Sequence, residues 1–124
     1  MNKYAIDSSA WIDYFSNPSE GIVGIIESRN TITSMIAIAE ISDKFIQNDK
    51  MLDKVIVFIR ENSKIVDLSI DICVDAAKIK KRIRKTRSKF GLADAIHLAT
   101  ARTQGAIFVT KDNDFSDLDS VKML

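Results

Sequence analysis

Five acidic residues stand out against apolar or turn-forming surroundings. Asp7 ends the run "KYAID", and Glu40 interrupts "MIAIAEIS". Asp94 lies inside "GLADAIHLATA", while Asp112 and Asp114 fall in "FVTKDNDF". Taken alone, each has an ordinary structural explanation. An acid in the first turn of a helix complements the helix dipole, and aspartate is a common turn residue. Glu40 is harder to dismiss, because an unpaired carboxylate in an apolar interior is costly. Taken together, carboxylates that share one pocket cannot all ionise unless protons or cations relieve them. Oxygen donors are hard ligands, so the fitting ion is Mg²⁺ or Mn²⁺ rather than zinc. Such a centre suits metal-assisted hydrolysis of a phosphodiester. Ser8, Ser9 and Thr110 place hydroxyls beside the first and fourth acids, where they would orient carboxylates or bound water.

Whether the acids can meet depends on the elements that carry them. "KYAID" reads as a strand ending at Asp7. "SSAWIDYFSN" follows as a helix, with the serines suited to its N-cap and Pro18 closing it. A second short helix is expected over 20–29. "NTITSM" is a β-branched strand leading into a helix over 36–48. Leu52, Val55, Ile56 and Ile59 have helical spacing within 50–62. "SKIVDLS" is a third strand, and Ile72, Ala76, Ile79 and Ile83 mark a helix over 70–84. "GLADAIHLATA" is the next helix, ended by "TQG"; "AIFVT" and "SVKML" are the fourth and fifth strands. Alternating strands and helices predict an α/β fold, a three-layer α/β/α sandwich around a parallel sheet of about five strands. Ligands of such sheets bind at the carboxyl ends of the strands. Asp7, Glu40, Asp94 and Asp112 are all expected at that edge.

The chain has 124 residues, a net charge of +1 and 46% hydrophobic residues, which suits one domain spanning 1–124 and excludes no partner by charge. Cys73 is the only cysteine, so no internal disulfide can form, and it is expected to be a small buried hydrophobe. No signal segment or membrane span is apparent, which leads us to expect a cytoplasmic protein that does not bind membranes.

The quoted motifs, in this order and spacing, resemble the PIN-domain ribonucleases. Within them the chain is similar to the VapC toxins of type II toxin–antitoxin modules, over nearly its whole length. The resemblance implies a Mg²⁺- or Mn²⁺-dependent endoribonuclease leaving a 5′-phosphate and a 3′-hydroxyl. Asp7, Glu40, Asp94 and Asp112 take the positions of the family's catalytic, metal-binding acids, and Asp114 that of a less constant one. Ser8 and Ser9 replace the common Thr-Ser pair, and Thr110 matches the threonine of "TKD". The resemblance further implies an RNA substrate, a VapB-type antitoxin, a homodimer, and operator DNA bound only through the antitoxin.

Two features lie outside those motifs. "KIKKRIRKTRSK", residues 78–89, holds eight basic residues and no acid. It is either a solvated helix face or, next to a phosphodiesterase site, a contact for RNA backbone through Arg84, Lys85, Arg87 and Lys89. His97 is expected as a locally hydrogen-bonded histidine of the core or its rim, and Trp11, Tyr14 and Phe15 as packing residues. A phosphorylated receiver would need an acidic pair after its first strand, and a haloacid-dehalogenase-type phosphatase a second aspartate at Ser9. A dinucleotide-binding domain needs glycines that "DSSAW" lacks. A PIN-fold RNA-processing nuclease without antitoxin, or a non-catalytic RNA- or protein-binding PIN module, remains open on sequence alone.

Overall fold

The computed structural model describes residues 1–48 and 51–124. Five strands, β1 (Tyr4–Ile6), β2 (Thr31–Ser34), β3 (Lys64–Val66), β4 (Ile107–Thr110) and β5 (Val121–Met123), form one sheet in the order β3-β2-β1-β4-β5. Every pairing is parallel. The helices are α1 (Ser8–Ser16), α2 (Glu20–Glu27), α3 (Met35–Gln47), α4 (Leu52–Asn62), α5 (Ile70–Ile83) and α6 (Leu92–Thr103). The helix expected over 50–62 is α4, and residue 50 lies outside the described residues. A short 3-10 turn, Asn113–Phe115, was not expected from the sequence.

The three layers follow from the two-residue period of the strands. Ala5 and Phe108 face one side of the sheet, where α5 and α6 pack Ile72, Ala76, Ile79, Leu98 and Ala99 against them. Ile6 and Val109 face the other side, against Trp11, Ile22, Ile26, Ile41 and Ile59 from α1 to α4. Trp11 has no exposed surface, and its indole N–H donates to Thr33 Oγ1 at 3.0 Å. Tyr14 and Phe15 join it in an aromatic cluster with Phe58, which is the packing role expected of them.

Three helices are capped by serines: Ser19, Ser34 and Ser69 accept the backbone N–H of Ile22, Ala37 and Ile72. For α1 the expectation needs correcting. Its N-cap is Asp7, whose carboxylate accepts Ser8 N–H, because the strand ends one residue earlier and Ser8 is already helical. Cys73 is a second correction: it is exposed, lying on the solvent side of α5 beside the buried Ile72. Among the described residues no helix is long and apolar enough to cross a membrane.

Candidate functional site

The sheet order sets the place. The chain moves outward from β1 to β3, then crosses back to β4 on the other side of β1, so β1 and β4 flank the topological switch point. Asp7 follows β1 directly, Thr110 ends β4, and Lys111 and Asp112 come directly after it. Glu40 projects from the second turn of α3, which leaves the same edge after β2. α6 runs back against the strands, so its N-terminus returns Asp94 to that edge.

Asp7 is 4% exposed and held from several sides. Its Oδ1 accepts Ser8 N–H at 2.8 Å, and its Oδ2 accepts the hydroxyls of Ser9 at 2.8 Å and Thr110 at 2.7 Å. The Ser8 hydroxyl lies 3.5 Å from Oδ1. The Ser9 and Thr110 oxygens in turn accept the backbone N–H of Lys111 at 3.0 Å and Asp112 at 2.9 Å. The three hydroxyls expected to orient acids therefore converge on Asp7, and two of them tie it to the end of β4.

His97 joins Asp7 to Glu40. Its Nε2 is 2.6 Å from Glu40 Oε1 and 3.6 Å from Asp7 Oδ1, and its Nδ1 is 3.1 Å from Ser34 Oγ. The sequence anticipated its burial, at 3% exposed, but not these partners. The only available signal was the i, i+3 spacing from Asp94, which places both on one side of α6. Burial pushes the His97 imidazole down, yet the Glu40 hydrogen bond and the charges of Asp7, Glu40 and Asp94 outweigh it and raise it above its ordinary value. Burial pushes Glu40 up, and the hydrogen bond and charge of His97, with a hydrogen bond from Ser8, bring it below its ordinary value.

Asp94 is half-buried and points its Oδ2 at Gly91 N–H, 2.8 Å away. Burial, reinforced by the charges of Asp112 and Asp114, raises its carboxyl above the ordinary value against the opposing pull of Gly91 N–H and His97. Asp112 Oδ1 accepts Asp114 N–H at 2.9 Å and so caps the 3-10 turn, while Asp114 itself is exposed.

These donors suit a hard divalent cation. One ligand atom each from Asp7, Glu40 and His97 lies within 4.8 Å of the others. Of the four acids expected to hold an ion, Asp7 and Glu40 belong to that group, whereas Asp94 and Asp112 lie outside it. The Asp94 carboxyl is raised chiefly by burial, and the smaller part due to Asp112 and Asp114 is one that a cation would relieve.

The four basic residues singled out on sequence divide into two pairs. Arg87 donates its guanidinium to the carbonyls of Asp114, at 3.0 Å, and Ser116. Arg84 donates to Ser88 O at 2.7 Å. Lys85 and Lys89 are exposed and have no ion-pair partner among the described residues. A cavity of about 310 Å³, lined by Arg87, Lys89, Phe90, Asn113 and Asp114 among others, lies between this basic segment and the 3-10 turn that follows β4.

The comparisons agree with this architecture. The PIN domain profile matches residues 4–121, and the chain belongs to the PIN domain family. Among solved structures, a toxin–antitoxin complex from Klebsiella pneumoniae superposes with a TM-score of 0.79 at 21% identity, covering 98% of this chain and 97% of that one. VapBC2 from Rickettsia felis, bound to a DNA fragment from its promoter, gives 0.76 at 15% identity, covering 98% and 96%. VapC20 from Mycobacterium tuberculosis, a toxin that cleaves the sarcin–ricin loop, gives 0.65 at 16% identity, covering 92% and 93%. At these identities the likeness is one of fold. No curated protein sequence matches at a significant level.

Proposed function

We propose that this chain is a divalent-metal-dependent endoribonuclease, the toxin of a VapBC-type toxin–antitoxin pair. The observation that carries the reading is the meeting of Asp7 and Glu40, with ligand atoms within 4.8 Å of each other and of His97, at the switch-point edge of a PIN fold; Asp94 and Asp112 complete the proposed site. Asp7, Glu40, Asp94 and Asp112 hold the ion, Mg²⁺ or Mn²⁺, with Asp114 at the rim. When bound, the ion polarises the scissile phosphate and lowers the pKa of the attacking water. The chain's own part is preorganisation. Ser8 N–H, Ser9 and Thr110 fix Asp7, while Asp112 stays attached to the same hydroxyl network through its backbone N–H.

Lys85 and Lys89 contact the RNA backbone, and Arg84 and Arg87 shape the segment that presents them. The toxin is a homodimer, and a cognate antitoxin covers the acidic edge and carries the operator-DNA contact. Support for the partner comes from the toxin–antitoxin complexes among the similar folds.

The test is RNA cleavage by wild type and Asp94→Asn, each with Mg²⁺, Mn²⁺ or EDTA, on structured and single-stranded RNA. Cleavage that requires both the metal and Asp94 is expected. Indistinguishable behaviour of the two proteins would sink the nuclease reading and leave a binding module.

A further inference from the structure

The metal reading has no use for His97, yet its ring sits between two of the proposed ligands. It packs against Phe108 with centroids 5.6 Å apart and has a partner on each nitrogen. The direction of the shorter bond follows from Glu40: an ionised carboxylate only accepts, so Nε2 carries the proton and donates it to Oε1. Ser34 Oγ, which accepts Ala37 N–H at 3.1 Å as N-cap of α3, keeps a proton and a second lone pair and so serves Nδ1 of either the neutral or the charged ring. The ring from α6 thus ties Glu40 back to the cap of Glu40's own helix. Glu40 needs such a tie. Its side chain is 42% exposed, has several rotatable bonds and lies beside the like charge of Asp7, so without a donor it would turn toward water.

We propose that His97 is a positioning residue, whose Nε2–H holds Glu40 Oε1 against Asp7 and leaves a carboxylate oxygen of Glu40 for the cation. This rests on the metal-site reading above. Direct ligation by His97 is the competing role, and the geometry speaks against it. Oε1 and Nε2 are 2.6 Å apart, a hydrogen-bond distance, whereas adjacent ligands on a six-coordinate ion with bonds of about 2.1 Å stand about 3 Å apart.

The test titrates the full chain with Mn²⁺ alone, reading bound ion by electron paramagnetic resonance. The proteins are wild type, His97→Gln, His97→Asn, Glu40→Ala and the double variant of His97→Asn with Glu40→Ala. Glutamine carries an N–H to about the reach of Nε2, and asparagine reaches only as far as Nδ1. Affinity is expected to survive in His97→Gln and to fall ~10–100-fold in His97→Asn, the usual size of an outer-shell loss. His97→Asn should cost nothing further in the Glu40→Ala background, where no oxygen remains for Nε2–H to hold. His97 is the only histidine, so ¹⁵N-histidine labelling reports on it alone and needs no variant. Pulsed resonance of bound Mn²⁺ should show no directly bonded histidine nitrogen. A bonded nitrogen, or equal affinity in wild type and His97→Asn, overturns the proposal. A wild type that binds no Mn²⁺ overturns the metal site itself, and is distinguishable from both.

Discussion

Asp94 uses one carboxylate for two purposes. Its Oδ2 closes the first turn of α6 on Gly91 N–H, and its charge adds to the crowding from Asp112 and Asp114. In the unfolded chain its pKa is the ordinary 3.8, and in the folded, metal-free protein it is higher. The folded state therefore holds that proton more tightly. Its contribution is fully present below the ordinary value and is lost as pH rises through the raised one. Above the raised value, the ionised Asp94 of the metal-free protein opposes folding. Asp94→Asn removes the charge and keeps an oxygen for Gly91 N–H. Its metal-free Tm at pH 7 should exceed wild type by about 1–3 °C, because the group is half-exposed and the gain is well below 1 kcal/mol. The difference should vanish on acidification to pH 3, followed by circular dichroism. Cleavage should fall by more than the ~10–100-fold of an outer-shell loss. Greater stability with lost activity is the signature of a residue kept for chemistry.

Thr110 tests the same network from the outer side. Its hydroxyl donates to Asp7 and accepts Asp112 N–H, and the residue is fully buried. Thr110→Val keeps the shape and deletes both hydrogen bonds, leaving a part-buried N–H unpaired. Unfolding by denaturant should show a loss of about 1–3 kcal/mol. Metal affinity should fall ~10–100-fold, since Asp7 loses one of its fixing donors.

Among the elements, the segment between α5 and α6 matters most. Read locally, the basic run 78–89 and the acids 112–114 belong to different parts of the chain, and nothing in either announces the other. Arg87 joins them by donating to the carbonyls of Asp114 and Ser116. Arg87→Ala should loosen the 3-10 turn that Asp112 caps, lowering stability by about 1.5–3 kcal/mol, the scale of hydrogen bonds from a charged donor. Changing Lys85 and Lys89 to alanine should leave Tm unchanged while flattening the salt dependence of RNA affinity. Affinity and salt slope equal to wild type in the lysine variant would remove the RNA contact from this segment.

The same contrast explains what the sequence disclosed. Strand and helix order and the serine hydroxyls beside Asp7 follow from periodicity and from neighbours within a few residues, whereas Thr110 meets Asp7 across 103 positions. His97 with Glu40, and Arg87 with the backbone of Asp114, close across 57 and 27 positions. No local pattern encodes such partners. Cys73 went wrong for a related reason. Its residue type favours burial, but its place on α5 is set by Ile72, Ala76, Ile79 and Ile83, which turn it outward.

At the scale of the molecule, the site depends on the crossover that returns the chain from β3 to β4. The segments after β1 and β4 and the helices α3 and α6 each carry one of the proposed ligands, and among them Asp7 and Glu40 meet at the switch point. A cation bound only by the folded state stabilises it by RT ln(1 + [M]/Kd), about 2.7 kcal/mol at 100 times Kd. For a chain of 124 residues that raises Tm by about 10 °C, with EDTA reversing it. Asp7→Asn should abolish the rise, because Asp7 is the most deeply buried of the acids and the one on which Ser8, Ser9 and Thr110 converge. A rise of the same size in Asp7→Asn would place the stabilising cation elsewhere on the molecule and detach the fold's stability from the carboxylates at its switch point.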